Sequence, residues 1–565
     1  MHARICVCLA ALASACLGAC TGTNEGAKGT GGTGAAAGGD AAAGGTSSGA
    51  NVGGGSAAGA TAQGGSSAGG SGATGGAGSA GGVTACAATE GLQVTRLTTT
   101  SIAMMGKPFD SASDETSPWG WDTNYGKPPE IVAVPDGESV DILWQDHSAD
   151  PARGQEDPAK NAKKAFLVHV EKGAAGYAVT RAYQLDQLAH IMGLARDESG
   201  NYYVATGVDE DEDLTPELPA PGMHRAGIVK LVKFDANGCK SLEIDAGMAR
   251  QTADAESEPI INPMVAATSR LAYHDGRVAL VHGINTSYDA KVEARHQKAL
   301  TTHFDAVSGV ATRTSTMWVS HSFDQRLFYD GTGFVEVHLG DAYPRAIVLG
   351  RFSGPKDGTK SYELFRPKGE SGDNDTFTRL GGVAPVASGD FGYLVAFTTE
   401  RGVETDASLN GTRDVAVLRV SRAFATMDEK SSAFVDGAAT QEVTSAGKVA
   451  TNKLTWLTDY AADLAQADRP RLAPLGSDRF VVLWERWTGT GDREATFGGL
   501  HGLVVGPDGS VQVAAKQLGQ QHLSRGDDVV GLAASALYVS GDGAAKKLTL
   551  NLIGADLELT SVDLP

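Results

Sequence analysis

Cysteine, helical periodicity and basic charge are all scarce in this sequence, and each absence excludes something. Of six cysteines in 565 residues, four (Cys6, Cys8, Cys16 and Cys20) lie within the first twenty positions. Only Cys86 and Cys239 remain for the rest of the chain. Without a CxxC pair, a structural zinc site or a thioredoxin-like dithiol is not expected. In an oxidising compartment the two cysteines either form one disulfide or stay as separate thiols, and the spacing alone does not choose between them. The formal net charge is −20, and Arg4, Lys28, Glu25 and Asp40 cancel within the first 85 positions, so the acidic excess belongs to the remainder. An acidic surface repels phosphate backbones, which excludes nucleic acid as a partner. Amphipathic helix is nearly absent; Asp459 to Asp468 is the best short candidate. No cofactor motif is present. The run Asp209-Glu210-Asp211-Glu212-Asp213 fails the calcium-loop spacing: Leu214 stands where the glycine belongs and Ala220 where the last glutamate belongs. It reads as a solvated acidic loop, and no metal site is expected.

The first residues carry an address. Met1-His2-Ala3-Arg4 is a short basic start, and Ile5 to Leu17 is an apolar run too short to span a bilayer. That is the pattern of a signal peptide, residues 1–19. It ends Leu17-Gly18-Ala19-Cys20, which resembles the lipobox of bacterial lipoproteins. The resemblance implies cleavage before Cys20 and attachment of acyl chains there, palmitate among them. Two or more acyl chains hold a protein on a membrane where one does not. Thr21 is not the aspartate linked with inner-membrane retention, so the outer membrane is the expected residence. Residues 20–85 then form a tether of almost pure Gly, Ala, Ser and Thr. Such a segment maximises chain entropy and buries no apolar area, so it is expected to stay disordered. As a Gly/Ser-type coil of roughly 65 residues its ends lie about 45 Å apart. The tether contains Gly65-Ser66-Ser67-Ala68-Gly69, a match to the GxSxG nucleophile pattern. That pattern needs a strand–turn–helix, which a tether does not supply.

Beyond a connecting stretch, residues 86–128, expected to pack on the domain, the chain reads as strands. A strand, a tight polar turn and a stronger apolar strand recur seven times between residues 129 and 565. The hairpins are Val132–Trp144, Leu194–Thr206, Leu271–Gly283, Leu327–His338, Val383–Phe397, Leu472–Trp484 and Val530–Gly541. Each is followed by a third strand and usually a more polar fourth. A four-stranded unit repeated seven times predicts an all-β fold, a β-propeller of seven blades. Six or eight blades and two tandem β-sandwiches are the competing architectures. No repeating WD or kelch signature assigns a propeller subfamily.

In a propeller the long loops share one face, where first strands begin and second strands end. The expected ligand face therefore comprises His190, Arg270, His321, Arg326, His338, Asp341, Arg379, Arg471, Glu485 and Arg525. Arginine suits carboxylate recognition through its two-pronged guanidinium. Ion pairing between blades is the competing use of the same residues. Trp119, Trp121 and Tyr125 could stack on sugars or pack on the first blade. Trp484 and Trp487 flank Glu485-Arg486, with one expected inside and one near the rim. No catalytic residue is assigned. The expectation is a non-enzymatic binding module held to the membrane by lipid, with carbohydrate or an envelope protein as partner. The alternative is a polysaccharide hydrolase or lyase using His, Asp, Tyr and Arg at the channel mouth.

Overall fold

In a computed structural model the chain is described at Cys86 and at residues 90–113, 129–148, 163–188, 190–208, 228–246, 262–264, 268–289, 294–317, 324–340, 346–352, 360–365, 378–388, 391–400, 412–421, 454–489 and 495–565. The signal segment, Cys20 and the tether lie outside these residues. So do His321, Asp341, the acidic run at 209–213, and Trp119, Trp121 and Tyr125.

The recurrences become seven antiparallel sheets. Their first strands are Ile131–Asp136, His190–Arg196, Arg270–His274, Asp324–Tyr329, Arg379–Pro385, Ala465–Pro474 and Val530–Gly531. Each of these touches the first strand of the next blade, and the seventh touches the first, so they form the inner wall of a closed ring. The result is a seven-bladed β-propeller. Blade 1 gains an outer fifth strand, Gln93–Arg96, paired with Gly176–Leu188. Blade 3 gains Asn262–Met264 beside Arg277–Asp289.

Radial packing follows from the composition of the second strands. Side chains on a strand alternate between its two faces, so an unbroken apolar strand is apolar on both. In blade 5, Tyr393, Val395 and Phe397 pack toward blade 4, while Leu394 and Ala396 pack toward blade 6. Inner strands run close together: a Cβ on Gly193 would meet the Cβ of Leu271 at 2.6 Å, so only glycine admits the contact. On the opposite end of the ring the hairpins share one device. Asp197, Asp235, Asp305 and Asp330 each accept backbone N–H groups from their own turn, as in Cys239 N to Asp235 Oδ1 at 2.8 Å. Side chains of this type mimic the missing turn bonds.

The expected helix at 459–468 does not form. Ala461–Asp463 makes a single 3-10 turn and Ala465–Pro474 is a strand. Leu464 takes a left-handed conformation (φ 49°), and Tyr460 N donates to Asp414 Oδ1 at 3.0 Å. Ala465 and Ala467 are buried between blades 5 and 6, so tertiary burial overrides local helix preference.

Two seams differ from the rest. Among the described residues, the apolar cluster between blades 3 and 4 is small: buried Ala279 and Phe334, with the partly buried Ala272, Leu327 and Tyr329 against them. Polar groups join it: Thr301 bonds Glu336, and His338 lies 3.3 Å from the same carboxylate. The second seam joins the chain's two ends without any exchange of strands between blades 1 and 7. There Ile131, Ile142, Trp144 and Phe166 meet Leu532, Leu537 and Leu550. The N-terminal extension reinforces it: Ile102 N donates to Pro565 O at 2.6 Å, and Gly541 N to Ser111 Oγ at 3.0 Å. Cys86 and Cys239 form a disulfide that fastens this extension to the outer hairpin of blade 2. Among the described residues no helix is long and apolar enough to cross a membrane.

Leu537→Ala, at the closing seam, is expected to cost about 2–5 kcal/mol. Val511→Ala, on an exposed outer strand, is expected to cost under about 0.5 kcal/mol. Urea unfolding of the two variants checks the contrast.

Candidate functional site at the channel mouth

The first strands deliver their leading arginines to one end of the central channel. Arg270, Arg326, Arg379 and Arg471 are all buried there, together with Arg413 and Arg469. A buried guanidinium must find acceptors for its donors, and these find two kinds. Arg471 is bonded to four backbone carbonyls: Pro470 O (2.8 Å), Ser524 O (2.6 Å), Arg525 O (2.8 Å) and Asp527 O (2.8 Å). Arg270 grips Asp528 with two nitrogens, Nη2 to Oδ1 at 2.7 Å, and also donates to Ser269 O and Gly526 O. Arg326 pairs with Asp324 and stands 3.3 Å from Asp528. Asp468 lies between two arginines, 3.4 Å from Arg379 and 3.3 Å from Arg413. Arg469 takes a left-handed conformation (φ 48°) in a bulge between Asp468 and Arg471. It bonds Leu523 O at 2.9 Å and Glu485 at 3.3 Å. Glu485 also accepts the Leu523 N–H at 2.7 Å and lies 3.3 Å from His522 Nδ1.

Two neighbouring aspartates show how differently this end treats a carboxyl. Burial pulls Asp528 upward, but the guanidinium groups of Arg270, Arg326 and Arg471 outweigh it and hold the group down to about 2. Asp527 has no such company. Burial dominates and pushes its carboxyl up to about 7, against the opposing N–H groups of Ile131 and Glu130, which donate to Oδ1 at 3.0 and 2.8 Å. A split of this kind can mark an acid and base pair. Here the two groups diverge, one capping the first strand of blade 1 and the other facing Arg270.

A cavity of about 140 Å³ opens beside them, lined by Arg326, Phe328, Gly382, Arg471, Leu472 and Asp528 among others. Among the described residues the cluster holds the guanidinium groups of Arg270, Arg326, Arg379, Arg413, Arg469, Arg471 and Arg525. The carboxyl groups beside them are Asp324, Glu400, Asp468, Glu485, Asp527 and Asp528. Cations outnumber anions although the chain as a whole is strongly acidic. Arg379 shows the consequence: burial, with Arg525 and Arg413 nearby, brings it down to about 9 despite Asp468. Its Nη2 is buried with no acceptor in reach.

Of the residues expected on this face, Arg270, Arg326, Arg379 and Arg471 converge, and Glu485 and Arg525 adjoin them through the 523–528 segment. His190, at the inner end of blade 2, is partly exposed and its carbonyl accepts from Thr206. His338 is not on the face. Its strand is buried along its whole length, and alternation turns His338 with Glu336 into the seam between blades 3 and 4. His282 is likewise interior, and burial pulls its imidazole down to about 4, so it stays neutral. Trp484 and Trp487 are both buried, and neither reaches the rim. His321 and Asp341 lie outside the described residues. Sequence reasoning missed Arg413, Arg469, Asp468, Asp527 and Asp528. The last two stand in a charged run, Arg525-Gly526-Asp527-Asp528, directly before a first strand, which is the signal that could have found them.

No protein-family model matches the chain, and no curated protein is similar to it in sequence. Among solved structures it is similar to a xylan β-1,4-xylosidase from Bacillus halodurans C-125, at 13% identity over 59% of this chain and 58% of that one, with a TM-score of 0.25. It is also similar to Trypanosoma rangeli sialidase in complex with sialic acid, at 9% identity over 74% and 59%, TM-score 0.32. A GH43 endo-arabinanase from Bacillus licheniformis gives 10% identity over 56% and 92%, TM-score 0.23. The chain thus spans about three fifths of the xylosidase and of the sialidase. Likeness at this level assigns no activity, and the seven-bladed ring rests on the strand pairing itself.

Asp527 makes the fold sensitive to pH. Its folded value, about 7, lies above the unfolded value near 3.9. The fold therefore favours the protonated form: its advantage is full below about pH 4 and is lost as pH rises toward 7. The change amounts to at most about 4 kcal/mol at roughly 1.4 kcal/mol per unit. Asp527→Asn keeps the oxygen that accepts both N–H groups and is expected to gain stability over wild type at pH 8 but not at pH 4. Urea midpoints at the two pH values measure it.

Proposed function

We propose that this chain is a membrane-tethered propeller that binds a saccharide bearing a carboxylate at the arginine end of its channel. The observation that carries the reading is the excess of buried cation there, above all the Arg379 Nη2 with no acceptor. Asp468 meets only the Nε side of Arg379; a buried donor left without an acceptor is costly, and an anionic ligand would supply the missing partner through charge-assisted hydrogen bonds. The saccharide part of the reading draws on the rim. Glu130 and His147, 3.0 Å apart, with Asp146, His190 and His522, place polar side chains of the kind that meet hydroxyl groups. The tether part draws on the signal segment, Cys20 and the low-complexity stretch behind it, which together would let the domain reach away from an outer membrane.

A glycan array probed with the purified chain tests the ligand. Acidic glycans are expected to bind and their neutral counterparts not, and Arg379→Ala should weaken binding about tenfold or more, equivalent to some 1.4 kcal/mol. Binding to no glycan ends the reading, and release of reducing ends from a bound glycan makes the chain a carbohydrate-active enzyme instead. The anchor has its own check. The mature protein should enter the detergent phase on Triton X-114 partition, and Cys20→Ala should move it to the aqueous phase.

A further inference from the structure

Asp528 is held in an unusual way for a residue in a connecting segment. Arg270 takes it with two nitrogens, Arg326 approaches its Oδ1 to 3.3 Å, and Arg471 adds a third positive charge close by. Two parallel N–H bonds from one guanidinium is the geometry in which arginine receives a free carboxylate. Yet Asp528 is not sealed in. Its side chain is 32% exposed, while those of Arg270 and Arg326 are only 10% and 6% exposed. The open side is the cavity, which Arg326, Arg471 and Asp528 themselves help to line. Arg471 completes its bonding on backbone carbonyls alone and so contributes a positive charge with no carboxylate of its own.

We infer that Arg270, Arg326 and Arg471 form a carboxylate-binding site which the chain fills with its own Asp528, and that a small external carboxylate enters from the cavity and exchanges with it. The inference rests on the proposed ligand class and adds a regulatory contact to that same site: Asp528 competes with the ligand. The contact also has a structural use. Arg270 begins blade 3 and Arg326 stands in the first strand of blade 4, two blades whose shared apolar cluster is small among the described residues. With the Asp528 carboxylate removed, Arg270 would lose its carboxylate partner, and Asp324 alone would stand against Arg326 and Arg471. An external carboxylate on the same donors would restore that partner. Exchange involves no covalent step; one carboxylate replaces another on the same donors.

The test is anion rescue. Asp528→Ala opens the site, and its melting temperature is read with increasing acetate, at ionic strength held constant with sodium chloride, against acetamide as the neutral isostere. The expected result is a melting temperature several degrees below wild type that climbs with acetate and saturates in the millimolar range. Acetamide should have no effect, and wild type should respond to neither. An acetate response no larger than that of wild type overturns the inference. Should Asp528→Ala not fold, Asp528→Asn preserves the volume and removes the competing charge. That variant should bind glucuronate at least tenfold more tightly than wild type by calorimetry, and equal or weaker binding overturns the inference. The two ideas fail separately. Acetate rescue with a blank glycan array keeps the carboxylate site and removes the saccharide. Glycan binding without acetate rescue keeps the saccharide reading and removes the role given to Asp528.

Discussion

A six-residue stretch of chain, Leu523 to Asp528, bonds the inner ends of four other blades before it enters the seventh. Leu523 is clasped by Glu485 and Arg469 of blade 6, and Arg471 of the same blade binds three carbonyls of the stretch. Gly526 and Asp528 hold Arg270 of blade 3, and Asp528 approaches Arg326 of blade 4. Asp527 caps the start of blade 1. A ring whose first and last blades share no strand needs some other fastening. Here it is a hub of arginines, carbonyls and carboxylates at one end of the channel, with an apolar seam and the N-terminal extension behind it.

The hub explains why so many cations are tolerated in the interior of an acidic protein. Neutral carbonyls satisfy a guanidinium's donors without cancelling its charge, so Arg471 can make four hydrogen bonds and still be positive. Carboxylates do both, but they are fewer than the guanidinium groups in this cluster. The electrostatic surplus is therefore a by-product of how the ring is closed, and it is concentrated beside the cavity. On the proposed reading, structure and binding use the same groups at this end, and ligand affinity and ring stability would be coupled through one set of hydrogen bonds.

The seam between blades 3 and 4 extends the same logic. Apolar side chains interlock across the other seams, with one further buried polar cluster where Asp141 of blade 1 accepts from Tyr202 of blade 2 and meets His169. At this seam Thr301 donates to Glu336, and His338 lies 3.3 Å from the same carboxylate. Buried polar contacts are worth little net and are costly to break. Arg270, Asp528 and Arg326 bridge the same two blades at their inner ends.

What the sequence determined by itself is what depends on local pattern. Alternation, turn residues and unbroken apolar second strands specified seven sheets that must be covered on both faces, and hence a closed ring. The arginines at first-strand starts were legible for the same reason, since register relative to a turn fixes which end of the ring a residue reaches. Tertiary structure decided everything that depends on distance around that ring. It turned His338 into a seam, because alternation assigns a face but not the neighbour that meets it. It also made a strand of the alanines after Tyr460, since burial between blades outweighs helix preference. Asp528 came to Arg270, 258 positions away in the chain, and only ring closure, which no local pattern encodes, brings them together.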